Sequence, residues 1–164
     1  MEQSRNTETK PKEVWISHLC DAPRELVFKA WTDPEQLKHW YAPDGCTIDI
    51  FSMDVTPGGT FQTCIHNPTY GDCWCKGEYL EVVFPEKLVF SMYITDSDGN
   101  RLADSGKDEK WPGVIITTVT FKAIGAKCSF TLHQTVSEEL AKQTGAYQSW
   151  LQMFSNLDDL TAKA

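Results

Sequence analysis

The chain has 164 residues, 41% hydrophobic and 23% charged, with a formal net charge of -8. That length can bury a substantial core without disulfides or a structural metal, and an acidic balance with no compact Lys/Arg cluster argues against nucleic acid or an anionic membrane surface as partner. Met1–Lys12 is polar with no secretory apolar core, and no apolar run reaches membrane-spanning length, so a cytoplasmic setting with six reduced cysteines is expected.

In chain order, Met1–Lys12 reads as a flexible polar tail and 13–164 as one domain. Val14–Cys20, β-branched and aromatic, is the first strand. Asp21-Ala22-Pro23 offers a capping Asp and a first-turn Pro, and Leu26, Val27, Ala30 and Trp31 repeat at helical spacing. Asp33-Pro34-Glu35-Gln36 repeats the start signal for a brief second helix that Pro43, Asp44 and Gly45 stop. From Cys46 the period becomes two, giving strands at Thr47–Val55, Thr60–His66, Cys73–Val83, Lys87–Thr95, Val114–Ala123 and Lys127–Val136. Pro57-Gly58-Gly59 and Phe84-Pro85-Glu86 read as turns. The stretch from Thr95 to Gly113 reads as a long surface loop whose one large apolar residue, Trp111, folds back on the body. Its Asp96-x-Asp98-x-Asn100 resembles a calcium loop only in part, since Arg101 replaces the turn glycine and no closing Glu follows.

Residues 137–162 read as a single helix with Tyr147, Trp150, Leu151, Phe154, Leu157 and Leu160 on its apolar face. The order of strand, two helices, six strands and helix predicts an α+β arrangement, a curved seven-stranded antiparallel sheet gripping that helix.

Several segments resemble one known family. Ala22-Pro23-Arg24-Glu25-Leu26-Val27-Phe28-Lys29-Ala30-Trp31-Thr32-Asp33-Pro34, Trp40-Tyr41-Ala42-Pro43, Asp54-Val55-Thr56-Pro57-Gly58-Gly59, Gly77-Glu78-Tyr79-Leu80-Glu81-Val82 and Pro85-Glu86-Lys87-Leu88-Val89-Phe90, in that order, are similar to the family named for the activator of the heat-shock protein 90 ATPase. That family lies in the START-like (SRPBCC) helix-grip superfamily. The resemblance implies the helix-grip fold over Val14–Leu160. It also implies either an apolar ligand between sheet and helix, cyclase-type catalysis in some members, or a stress-response role in contact with a chaperone. The eukaryotic co-chaperones carry an additional N-terminal domain to which no stretch here corresponds.

A curved sheet leaves space under one helix, and such space is apolar with a few orienting polar groups. The expected wall is Trp40, Phe61, Trp74, Phe90, Trp111, Phe121, Trp150 and Phe154. Pairing the third and fourth strands across Asn67–Asp72 puts Phe61, Thr63 and Ile65 on one face with Trp74, Lys76 and Glu78. Glu78 would then enter the cavity as a ligand contact or as the acid/base of a cyclase- or hydrolase-type enzyme, with Gln134 a second polar contact. The same register sets Cys64 opposite Cys75 and His66 opposite Cys73, soft donors held in a rectangle instead of a tetrahedron, so no metal is expected there. His39 lies nearest the expected mouth. With no nucleophile elbow, phosphate loop or His-Glu-x-x-His helix, no cofactor is expected. The leading expectation is non-enzymatic binding of a small apolar or amphipathic molecule, by a monomer or homodimer.

Overall fold

Side chains that alternate between two faces make a sheet whose inner face can be covered, and here they build one seven-stranded antiparallel sheet. The computed structural model describes residues 12–69, 71–100 and 113–162. The strands are β1 (Glu13–Cys20), β2 (Thr47–Met53), β3 (Thr60–Asn67), β4 (Gly71–Val83), β5 (Lys87–Thr95), β6 (Ile115–Ile124) and β7 (Lys127–Ser137). The helices are α1 (Arg24–Thr32), α2 (Pro34–Leu37), α3 (Glu138–Thr144) and α4 (Ala146–Ala162). Across the sheet the order is β1-β7-β6-β5-β4-β3-β2, so β2 to β7 meander and β1 closes the far edge against β7. This is the α+β helix-grip arrangement expected from sequence. Of the expected polar tail only Lys12 is described, and its ammonium lies 3.6 Å from Glu138.

Three local expectations change. The N-cap of α1 is Pro23, with no side-chain cap, so Asp21 does not cap it. Asp33 does cap α2, accepting from the Glu35 N–H with Pro34 in the first turn. The terminal segment is two helices instead of one: Gly145 takes φ +88°, a left-handed C-cap that a side chain would strain, and α4 restarts at Ala146. The buried stripe of α4 is Trp150, Met153, Phe154, Leu157 and Thr161, rotated from the expected one, and Leu151 stands 47% exposed.

Polar contacts fix α4 to the sheet edge and to the loop after α2. His18 Nε2 lies 2.9 and 3.0 Å from the two Asp158 oxygens, and the Cys20 thiol donates to Asp158 at 3.5 Å. The Asp44 N–H donates to Gln152 Oε1, and Asn156 Nδ2 donates to the Ala42 carbonyl. Beneath the helix, Trp31 is the hub of an aromatic cluster, set edge-on to Trp40, Phe121 and Phe130 and stacked at 6.1 Å on Trp150. Its indole Nε1 has no hydrogen-bond partner among the described residues. That cluster fills the interior over β1, β7 and β6.

The β3–β4 register also differs from expectation by one residue. Cys64 faces Trp74, Ile65 faces Cys73, and His66 faces Asp72. The connection between the strands spans only three residues, closed by Gly71 at φ +92°. A shift of one residue exchanges the faces of a whole strand.

Candidate functional site

Over β2 to β5 the interior stays hollow, with a cavity of about 390 Å³ between the inner sheet face and α4. Its wall is mostly apolar: Met53, Phe61, Ile65, Leu88, Phe90, Met92, Ile94 and Ile115 from the sheet, Trp31 and Leu37 from the first helices, and Trp150 and Met153 from α4. Its mouth lies among Ala146 and Ser149 of α4, Pro43 and Cys46, and the β3–β4 connection at Asn67, Gly71 and Asp72.

Of the expected wall residues, Phe61, Phe90, Gln134 and Trp150 line this cavity. Glu78 does not: it is exposed on the outer face, paired across the ladders with Thr60 and Ser91. An acid/base role inside the cavity is therefore closed to it. Trp74 lies on the same outer face, stacked at 5.2 Å on Phe51. Trp40 is fully buried in the aromatic cluster, its Nε1 donating to the Ala30 carbonyl at 3.0 Å. Phe121 and Phe154 are likewise core residues, packed edge-on against Phe28 and Phe130 respectively. Trp111 lies outside the described residues, and His39 is exposed and does not line the cavity. The register shift that removes Trp74 and Glu78 brings in Cys73, Cys75 and Tyr79 instead.

These polar groups are neutral. Burial pushes the Cys75 thiol up to about 12 and raises the phenols of Tyr41 and Tyr79 well above their ordinary value. Gln134 is 4% exposed and its amide is oriented by its partners. The Trp150 indole can only donate, at 3.0 Å to Oε1, so the amide nitrogen donates to Thr117 Oγ1 at 3.1 Å. Asp72, at the mouth, is the one carboxylate on the wall. The cavity thus offers apolar area, hydroxyl and amide groups, and no charge in its depth.

The sequence profile described as activator of Hsp90 ATPase homolog 1-like protein matches residues 21–162. The chain belongs to that family. No curated protein matches. Among solved structures, a Staphylococcus epidermidis protein is 22% identical, with a TM-score of 0.78, over 94% of this chain and 92% of its own. A Chromobacterium violaceum protein is 22% identical at TM-score 0.75 over 92% and 97%. A Silicibacter pomeroyi AHSA1 protein is 15% identical at TM-score 0.74 over 92% and 98%. At these identities the likeness is one of fold. No helix among the described residues is long and apolar enough to cross a membrane.

In this activator-homologue chain the Gln134 amide links α4 to the sheet floor, which makes it testable. Trp150→Phe keeps an aromatic ring but removes the five-membered ring with its N–H, leaving buried Gln134 Oε1 without its donor beside a small void. A loss of about 1–3 kcal/mol is expected in urea unfolding with an unchanged slope. A loss below about 0.5 kcal/mol would show that the amide is satisfied some other way.

Proposed function

We propose that this chain binds a small, uncharged apolar or amphipathic molecule in the cavity beneath α4, without turning it over. One observation carries the reading: a hollow of about 390 Å³, apolar apart from neutral hydroxyl, amide and thiol groups and the Asp72 carboxylate at its mouth. A natural core at ordinary packing density leaves few voids larger than a water molecule, which makes a space of this size the first candidate for a binding site. A chaperone-contact role would be favoured instead by a filled interior. With all six cysteines free, a reducing cytoplasmic setting is part of the proposal.

Native mass spectrometry of the chain purified from its own host tests the reading directly, by an added mass that denaturation releases. Titration with an apolar fluorescent probe gives a second test. Thr63 points into the hollow from β3 and is 8% exposed, so Thr63→Phe places a ring in the space. Probe affinity is expected to fall at least about tenfold, or about 1.4 kcal/mol, with stability preserved. Unchanged probe binding in a folded Thr63→Phe would place the probe elsewhere and remove the cavity from the proposal.

A further inference from the structure

The one-residue register shift has gathered a different set of side chains on the outer face of the β2–β3–β4 edge. Asp49 faces Cys64 across β2–β3, His66 faces Asp72 across β3–β4, and Cys64 and His66 lie two residues apart on one strand. We propose that Cys64 Sγ, His66 Nδ1 and the Asp72 carboxylate bind a divalent transition metal of zinc's class, with Asp49 orienting the histidine.

The geometry comes first. Cys64 Sγ lies 3.8 Å from His66 Nδ1, which lies 2.8 Å from Asp72 Oδ1, and the three donor atoms all fall within 4.8 Å of one another. Zinc–donor bonds of roughly 2.0–2.3 Å at tetrahedral angles require donors roughly 3.3–3.6 Å apart. The nitrogen–sulfur and nitrogen–oxygen separations are within about half an ångström of that. Three protein donors leave a fourth position for water.

The second observation is Asp49. Its Oδ2 lies 2.8 Å from His66 Nε2. A metal-ligating imidazole characteristically donates its other N–H to a carboxylate, which fixes the tautomer and the ring plane. Once the proton shared by Nδ1 and Asp72 has left, the remaining proton stays on Nε2 against Asp49, and the Nδ1 lone pair faces the sulfur and Asp72.

The third is the distribution of exposure. Carboxylates around an exposed histidine commonly form ion pairs and nothing more, but ion pairing gives no account of the thiol. Cys64 is 0% exposed, whereas the His66 and Asp72 side chains are 37% and 48% exposed. The soft donor is therefore fixed within the protein while the hard donors and the open position face solvent, leaving an entry path. Binding displaces the Cys64 thiol proton and the proton between His66 Nδ1 and Asp72, both to water. Among the described residues the other mixed trio, His18, Cys20 and Asp158, has no such orienting carboxylate and already has a role in fixing α4.

The test is titration of the full chain, thiols kept reduced, with Co²⁺ and then Zn²⁺. Expected are visible bands of tetrahedral intensity and a near-ultraviolet sulfur-to-cobalt band, saturating at a single equivalent and abolished by zinc. Cys64→Ser and His66→Gln should each abolish the sulfur band. His66→Gln alters a partly exposed ring and serves if Cys64→Ser fails to fold. Asp49→Ala should keep the band with affinity weaker by roughly 10- to 100-fold. The proposal is overturned if wild type gives no sulfur band, if the band survives both Cys64→Ser and His66→Gln, or if it is lost only in Cys20→Ser.

Discussion

Phe154→Ala is expected to lower unfolding free energy by about 3–5 kcal/mol, or roughly 6–20 °C in Tm for a domain of this size. Phe154 is 1% exposed and meets the Phe130 ring edge-on at 4.9 Å, Trp150 at 5.6 Å and His18 at 5.4 Å. Deleting it opens a void that cannot collapse easily. Phe130 is held in a central ladder between β6 and β1, and α4 is held one turn later through Asp158. Leu151, on the same helix and 47% exposed, is the control, and Leu151→Ala should stay within about 0.5 kcal/mol of wild type. Thermal and urea unfolding of the two variants decide the matter. Similar losses in both, or a loss below about 2 kcal/mol at Phe154, would mean that α4 gains little of its stability from the aromatic cluster.

That pair also marks what periodicity could and could not provide. Alternation over Thr47–Val136 and three-four spacing over Tyr147–Leu160 were enough for six of the seven strands and an amphipathic terminal helix, because burial on one side imposes those periods wherever it occurs. They did not phase the helix. Leu151 and Leu160 are as apolar as Leu157, and only the sheet contact selects Met153 and Thr161 over them. Gly145, just past Lys142 and Thr144, was a legible stop signal that the strong pattern around it overrode.

The site was less legible because one turn controlled it. A three-residue connection followed by a left-handed Gly71, read as an even-length loop, exchanged the faces of β4 and so exchanged Trp74, Lys76 and Glu78 for Cys73, Cys75 and Tyr79. Glycine after a Pro-containing turn was the available signal. Phe61, Phe90, Gln134 and Trp150 kept their places because each belongs to an element whose own alternation against the core was unambiguous. Tyr41, Met92 and Met153 carried no local signal for the cavity, since nothing in a single sequence separates the hollow side of a core from its filled side.

Gly77→Ala should cost about 3 kcal/mol or more, and it should reach the cavity as well as the sheet. Gly77 lies in β4 between Phe61 of β3 and Met92 of β5. A Cβ built there would overlap the Ser91 backbone carbonyl and the Phe61 ring. The backbone of Gly77 is of a kind any residue can adopt, so the constraint is space. Gly145 is the opposite case: φ is +88° with nothing within 4 Å, and Gly145→Ala should cost only the left-handed strain of about 1–2 kcal/mol. The carbonyl of Ser91 cannot retreat without opening the β4–β5 ladder, whereas the Phe61 ring can retreat only into the hollow it lines. Gly77→Ala should therefore lose more stability than Gly145→Ala and also weaken binding of an apolar probe. Adding Phe61→Ala to Gly77→Ala should recover part of the stability, leaving the portion due to the carbonyl. If Gly77→Ala proves as stable as wild type, the sheet is not pinched at this point and the close fit of Phe61 over bare backbone does not shape the cavity.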